Sequence, residues 1–121
     1  MYMVLSFALL VTSATVHAKQ GFKSFYNKTG ETITINLKTS DNKTVTKIAP
    51  ADNKDKAHRI NYNSANGQVD SVSVTNTSGS HTGMIDYNQN GGLLNNWPFF
   101  DVTLNGSSYS IAKNSSGGSS K

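Results

Sequence analysis

Apolar and polar residues alternate with a period of two along much of this chain, the pattern of strands that bury one face. The clearest run lies between Thr32 and Lys38, where three aliphatic residues alternate with polar ones: Ile33, Ile35 and Leu37. Segments rich in Asn, Gly, Ser and Asp separate such runs, and these residues favour turns. The pattern predicts eight strands: Phe22–Tyr26, Thr32–Lys38, Thr44–Ile48, Ala57–Tyr62, Gln68–Thr75, His81–Tyr87, Trp97–Leu104 and Ser108–Ala112.

Two dipeptides, Asn66-Gly67 and Asn105-Gly106, are strong signals for two-residue hairpins, because both central positions of such a turn need a positive φ. Closely spaced strands without a helical stretch favour a sandwich or a barrel. We therefore predict an all-β single domain, an antiparallel β-sandwich of about eight short strands. Its predicted core contains Phe22, Phe25, Ile33, Ile35, Leu37, Ile48, Ile60, Val72, Val74, Ile85, Phe100, Val102, Leu104 and Ile111.

The N-terminal segment departs from this alternation, because a compact apolar run ends in Val16-His17-Ala18, which fits the small-x-Ala rule for signal-peptide cleavage. The apolar run is too short for a membrane-spanning helix. No Lys or Arg precedes it, which leaves open a start upstream of Met1. We predict a signal peptide at 1–18, a β-sandwich domain at 19–112 and a disordered Ser/Gly tail at 113–121. The predicted location is extracellular, or periplasmic if a Gram-negative source retains the protein.

Composition narrows the chemistry of this chain. It contains no cysteine, which excludes disulfides, thiolate metal sites and a nucleophilic thiol. Nine of its eleven basic residues lie between Lys19 and Arg59, and none lies between Ile60 and Ala112. Such a charge distribution steers a protein towards anionic surfaces, although lysines on strand edges also serve to prevent aggregation. The lysines are dispersed and mostly lack interleaved aromatic residues, so no nucleic-acid partner is predicted.

No arrangement of residues in the sequence identifies an enzyme. The chain lacks a G-x-S-x-G elbow, a phosphate-binding glycine loop and an H-E-x-x-H motif. His81 with Asp86 is the one candidate acid–base pair. A histidine at the start of a strand more often only forms structural hydrogen bonds, and we predict no catalytic residue.

A local pattern points to calcium. The segment Asp86–Gly91 fits D-x-[DN]-x-[DN]-G, in which alternate oxygen ligands from Asp86, Asn88 and Asn90 converge on a hard cation. The match fails at the twelfth position, where Trp97 replaces the bidentate carboxylate. A Ca²⁺ site and a polar turn-rich loop therefore both remain open, and no other cofactor is predicted.

Aromatic residues concentrate near this loop and the last hairpin. Alternation after Trp97 places Trp97 and Phe99 on one face and the predicted core residues on the other, so these two rings are candidates for an exposed apolar patch. The alternative is that the long loop buries both rings. With the nearby tyrosines, the predicted ligand-binding residues are Tyr87, Trp97, Phe99 and Tyr109.

The segment Asp86–Val102 resembles the aromatic lipid-headgroup loop of actinoporin-type cytolysin and lectin sandwiches, in which a Tyr-rich segment leads to Asn-Trp and an outgoing strand. The resemblance implies binding of a lipid headgroup or a sugar at Tyr87, Trp97 and Tyr109. It does not imply pore formation, because no amphipathic helix precedes the predicted sandwich.

Three classes of function follow from these observations. The first is a secreted, non-enzymatic binding module that recognises a lipid headgroup, a glycan or the surface of a host or partner protein. The second is a secreted structural or inhibitor-like protein, and the third is a small hydrolase. The sequence does not predict an oligomeric state.

Overall fold

The computed structural model describes residues 19–115 and shows an all-β chain. Its strands are β1 (Lys19–Asn27), β2 (Ile33–Thr39), β3 (Thr44–Ala49), β4 (Ala57–Ser64), β5 (Val69–Asn76), β6 (Thr82–Asp86), β7 (Phe99–Asn105) and β8 (Ser108–Lys113). A 3₁₀ turn (Gln89–Gly91) and a four-residue helix, α1 (Leu93–Asn96), lie between β6 and β7. All eight predicted strands are confirmed to within a few residues. The predicted signal peptide 1–18 and the tail beyond residue 115 lie outside the described residues.

The strands form one mixed sheet in the order β3-β2-β5-β6-β8-β7-β1-β4. Two neighbouring pairs are parallel, β1 with β7 and β6 with β8, and the other pairs are antiparallel. The all-β class is confirmed, but the prediction of an antiparallel-only sandwich is not. Alternation along a strand shows which face is buried but carries no information about which strand lies beside it.

The sheet divides into two halves, β3-β2-β5-β6 and β8-β7-β1-β4, that meet at two places. At the first, β6 and β8 share a single register pair, Thr82 with Ser108. At the second, the two edge strands β3 and β4 approach each other, so the sheet curves into a nearly closed barrel. We call these places the β6–β8 join and the β3–β4 join.

The core fills the inner face of the curved sheet. Phe25 and Phe100 occupy paired positions on β1 and β7 and stack with ring centroids 5.6 Å apart. Around them lie mainly aliphatic residues that are fully buried: Ile33, Ile35, Leu37, Ile60, Val69, Val72, Val74, Leu94 and Val102. Their burial removes apolar surface from water, the main favourable contribution to folding in a chain without disulfides.

Two predicted core residues, Ile48 and Phe22, lie on the outer face of the sheet. Ile48 is 62% exposed, because β3 directs Val45 and Ala49 inward opposite Leu37 and Ile33 of β2. Ile48 pairs with Thr34 on the outer face. The prediction for Ile48 rested on its hydrophobicity alone, whereas the register of the antiparallel pair decides which face each residue occupies.

A buried amide connects three segments at one end of the sheet. Asn27, at the end of β1, donates from Nδ2 to the carbonyl oxygens of Glu31, Ala49 and Pro50, at 2.7, 3.0 and 3.2 Å. Its Oδ1 accepts a bond from the hydroxyl of Thr29 at 2.7 Å. These bonds fix the turn between β1 and β2 against the end of β3.

Candidate functional site

The outer face of β4, β1 and β7 carries a group of side chains that packing alone does not explain. Phe22 and Ser24 point outward from β1, since Phe25 points inward and alternate residues of a strand face opposite sides. Ser24 pairs with Arg59 of β4 on one side and with Phe99 of β7 on the other. The small Ser24 side chain leaves space for the longer side chains around it.

Arg59 lies flat on Phe22. Its guanidinium carbon is 3.9 Å from the centroid of the Phe22 ring, and its Nε donates to Oδ1 of Asn61 at 3.0 Å. Within residues 19–115, Arg59 forms no ion pair with a carboxylate. The stacking and the bond to Asn61 hold the guanidinium in one orientation and leave its outer nitrogens available to a ligand.

A groove of about 510 Å³ runs beside this stack, lined by Gln20, Gly21, Phe22, Arg59, Asn61, Tyr62 and Asn63. A Cβ at Gly21 would lie 2.6 Å from the Tyr62 ring, so glycine is needed where Tyr62 passes under β1. The Tyr62 hydroxyl donates to the Gly67 carbonyl at 3.2 Å, and burial raises the pKa of Tyr62. Tyr62 therefore acts as a neutral wall of the groove.

Phe99 is the predicted ligand-binding residue that lies beside this groove. Its ring meets Phe22 edge to face, with centroids 6.0 Å apart, and it is half-buried. The predicted partner of Phe99 in an exposed patch, Trp97, packs against the core instead. Trp97 donates from Nε1 to the Asn114 carbonyl at 3.2 Å, and Lys113 Nζ covers its ring at 3.9 Å from the centroid.

The two predicted tyrosines lie in different surroundings. Tyr87 follows β6 and is 54% exposed. Tyr109 of β8 is only 5% exposed and donates its hydroxyl to Oε1 of Glu31. Within the described part of the chain, no two rings of Tyr87, Trp97, Phe99 and Tyr109 contact each other. A ligand contact at Tyr87, Trp97 or Tyr109 stays a prediction.

A second basic residue on the outer face is neutralised, in contrast to Arg59. Lys28 Nζ lies 3.2 Å from Oδ1 of Asp101 and 5.9 Å from the centroid of the Tyr26 ring. Asp101 is also bonded to the Asn114 amide at 2.7 Å. Arg59 is therefore the better candidate for capturing an anion from solution.

His81 has a different carboxylate partner from the one the sequence indicated. Its Nδ1 lies 2.8 Å from Oε1 of Glu31, not beside Asp86, because the β5–β6 turn brings His81 next to the β1–β2 turn. The bonds from His81 and Tyr109 lower the pKa of Glu31. Burial and the bond to Glu31 raise the pKa of Tyr109. Glu31, His81 and Tyr109 thus form a hydrogen-bonded cluster across the β6–β8 join.

The predicted calcium loop forms the end of β6 and the 3₁₀ turn. The Asp86 amide nitrogen donates to Oε1 of Gln89 at 2.7 Å, and Asn90 adopts a left-handed conformation with φ 51°. Residues 19–115 contain no group of three or more His, Cys, Asp or Glu side chains placed to hold a metal ion. Calcium binding at Asp86, Asn88 and Asn90 stays a prediction.

Phe22 and Arg59 are site residues that the sequence pattern does not indicate. The predicted core includes Phe22, and Arg59 enters the predictions only as part of the basic half of the chain. The alternation of β4 was an available signal, since His58, Ile60 and Tyr62 face inward while Arg59 and Asn61 face outward. The alternation does not show that β4 pairs with β1, and this pairing brings Arg59 onto Phe22.

Comparisons with known proteins add no family to this description: no family model, no curated protein and no solved structure matches the chain significantly. Within residues 19–115, no helix has the length and apolar character needed to cross a membrane.

Proposed function

We propose that this protein is a secreted, non-enzymatic binding module that recognises acidic glycans at the outer groove of β4 and β1. The observation that supports it is the Arg59 guanidinium, which is stacked on Phe22, fixed by Asn61 and not paired with a carboxylate in residues 19–115. A planar guanidinium held in this way matches the two oxygens of a carboxylate, and such charge-assisted pairs are among the strongest hydrogen bonds in proteins.

The lining of the groove favours a sugar over a lipid headgroup. Gln20, Asn61 and Asn63 present side-chain amides, which both donate to and accept from hydroxyl groups. Membrane association would use projecting apolar side chains. The exposed large apolar residues of the described chain are Ile48, Met84 and Tyr87, which lie on or beside β3 and β6, in the other half of the sheet.

Calorimetric titration of the chain with polygalacturonate, a polymer of uronic acid, tests the proposal. We expect binding to polygalacturonate, none to the neutral polymer dextran and none to phosphatidylglycerol vesicles. Arg59→Gln removes the guanidinium and should weaken binding at least about tenfold, equivalent to about 1.4 kcal/mol. Arg59→Lys retains the positive charge but not the planar guanidinium, so its affinity for polygalacturonate should lie between those of the native chain and Arg59→Gln.

The matched control is Lys38→Gln, which removes one positive charge from an exposed position on β2 in the other half of the sheet. It should leave the affinity nearly unchanged. Equal losses for Arg59→Gln and Lys38→Gln would reduce the interaction to a general charge effect and overturn the assigned site. Binding to vesicles in preference to polygalacturonate would overturn the ligand class.

A further inference from the structure

His58 occupies an unusual position directly behind the proposed site. It precedes Arg59 on β4, so the two side chains point to opposite faces of the same strand, Arg59 outward and His58 inward. His58 is 4% exposed, and its Nε2 has no hydrogen-bond partner within residues 19–115. A neutral imidazole tolerates this site, but a protonated one has a second N–H without an acceptor.

The charged groups that act on His58 are mostly positive. Lys47 of β3 and Lys56 of the β3–β4 loop disfavour its charged form, and Asp52 of that loop opposes them. Opposite His58 on β1 lies Phe25, and the nearest basic residue on the inner face of β1 is Lys23, paired with Ile60. The inner face of β2 is aliphatic, with Ile33, Ile35 and Leu37.

The second feature is that β4 is paired with a neighbouring strand on only one of its two edges. It is an edge strand that is paired with β1, and its other side faces β3 across the β3–β4 join rather than a paired neighbour. Separation of β4 from β3 would therefore break few backbone bonds. Strand edges of this kind open at a lower free-energy cost than central strands.

We propose that mild acid releases the ligand from the outer groove by protonating His58, which drives β4 away from β3 and disturbs Arg59 and Asn61. This inference rests on the proposed function, because it concerns regulation of the same site. A protonated His58 needs water or an acceptor, and outward movement of β4, which is not paired with β3, exposes it to water. Arg59 and Asn61 flank the inward-facing Ile60 on β4, so a change in the twist of β4 against β1 shifts both side chains relative to Phe22 and distorts the groove.

The direction of the titration agrees with this geometry. Burial, then Lys56 and Lys47, lower the pKa of His58. The native state consequently resists protonation, and the unfolded or opened state binds the proton more readily, so stability at this join falls as pH drops below about 6.5, the ordinary histidine value. The groove stays intact at neutral pH and opens in mild acid.

Titration with polygalacturonate at about pH 7.5 and about pH 5 tests the inference, since the sugar carboxylates titrate near 4 and stay largely ionised at both values. We expect the native chain to bind at least about tenfold more weakly at the lower pH, equivalent to about 1.4 kcal/mol of binding free energy. His58→Leu, which fills the apolar site without a titratable group, should retain its neutral-pH affinity in acid. His81→Gln is the matched control and should keep the native pH dependence.

Two outcomes distinguish a failure of the proposed pH switch at His58 from a failure of the proposed glycan binding. If His58→Leu loses affinity in acid as the native chain does, the switch is overturned and the glycan site stands. If the native chain binds no polygalacturonate at either pH, the proposed function fails, and urea unfolding at both pH values decides the switch. There, an acid-induced drop in the midpoint that is smaller in Lys47→Gln and absent in His58→Leu supports it, and an equal drop in all three chains overturns it.

Discussion

The two joins between the halves of the sheet each contain one histidine, in opposite surroundings. At the β6–β8 join, His81 is half-buried and lies 2.8 Å from a Glu31 carboxylate oxygen. At the β3–β4 join, His58 is buried, its Nε2 has no partner within residues 19–115, and Lys47 and Lys56 disfavour its charge. His81 is hydrogen-bonded to a carboxylate, whereas a proton on His58 creates a buried charge that its basic neighbours repel. The same residue type therefore reinforces one join by a hydrogen bond and loosens the other in mild acid.

The difference follows from how each join is built. The β6–β8 join has one register pair, and side chains from three segments reinforce it: Glu31, His81 and Tyr109. The β3–β4 join is formed by two strand edges packed over apolar residues. Hydrogen bonds between polar side chains strengthen the β6–β8 join. The β3–β4 join depends on hydrophobic contact, and the buried His58 lies within it.

The largest expected effect tests the close approach at the β6–β8 join. A Cβ at Gly83 would lie 2.3 Å from the carbonyl oxygen of Tyr109, so Gly83→Val forces β6 away from β8. We expect a loss of about 3 kcal/mol in the free energy of unfolding, the upper part of the usual range for overpacking. Met84→Val, at the exposed neighbouring position, should change it by less than about 0.5 kcal/mol. A loss for Gly83→Val as small as that of the control would show that the strands separate freely here.

A smaller effect distinguishes the two histidines by their influence on stability. At about pH 5, His58→Leu should be more stable than the native chain by about 1 kcal/mol, because it removes an unpartnered buried polar group. His81→Leu should instead be less stable than the native chain at that pH, since it removes the partner of Glu31. Urea unfolding of all three chains measures both signs. If His58→Leu and His81→Leu changed the free energy of unfolding in the same direction, the two joins would not differ in the way described.

The smallest effect concerns the hydroxyl that completes the β6–β8 cluster. Tyr109→Phe removes the bond to Glu31 and should cost about 0.5 kcal/mol of unfolding free energy, the lower end of the net range for one hydrogen bond, because the partly exposed Glu31 carboxylate can bond to water instead. The lowered pKa of Glu31 means that its stabilising contribution is present above the ordinary carboxyl value near 4.3 and is lost as pH falls through the lowered value. Tyr109→Phe should therefore have a weaker stability loss in strong acid. An identical acid profile for both chains would contradict the assigned role of Glu31.

Much of the fold could be predicted from the sequence because alternation and turn residues are local signals. The eight strands and the inward direction of Ile60 follow from them, and the structure confirms both. The prediction for Ile48 was wrong because the register between β3 and β2 decides which face of the sheet this residue occupies. The parallel pairs β1–β7 and β6–β8 depend on contacts between distant segments, about which a single strand holds no information.

The candidate site was less predictable than the fold for the same reason. The alternation after Trp97 identifies Phe99, but its neighbour Phe22 comes from the first strand, and Arg59, which stacks on Phe22, comes from the fourth. Likewise Glu31, the partner of His81, lies far from it in the chain, and the sequence offered only the nearer Asp86. Sites built across strand pairings become visible only when the order of the sheet is known.

The buried amide of Asn27 has a consequence for how the protein has to be made. Asn27-Lys28-Thr29 is an acceptor sequence for N-linked glycosylation. In the folded chain the same amide nitrogen is buried against three carbonyl oxygens, so a sugar that replaces one of its two hydrogens would break part of this bonding and push the segments apart. An oligosaccharide added while the chain is still unfolded would keep the β1–β2 turn from docking on β3. Production in a host without N-glycosylation avoids this conflict, and in a glycosylating host Thr29→Ala would remove the acceptor while losing the bonds made by the Thr29 hydroxyl.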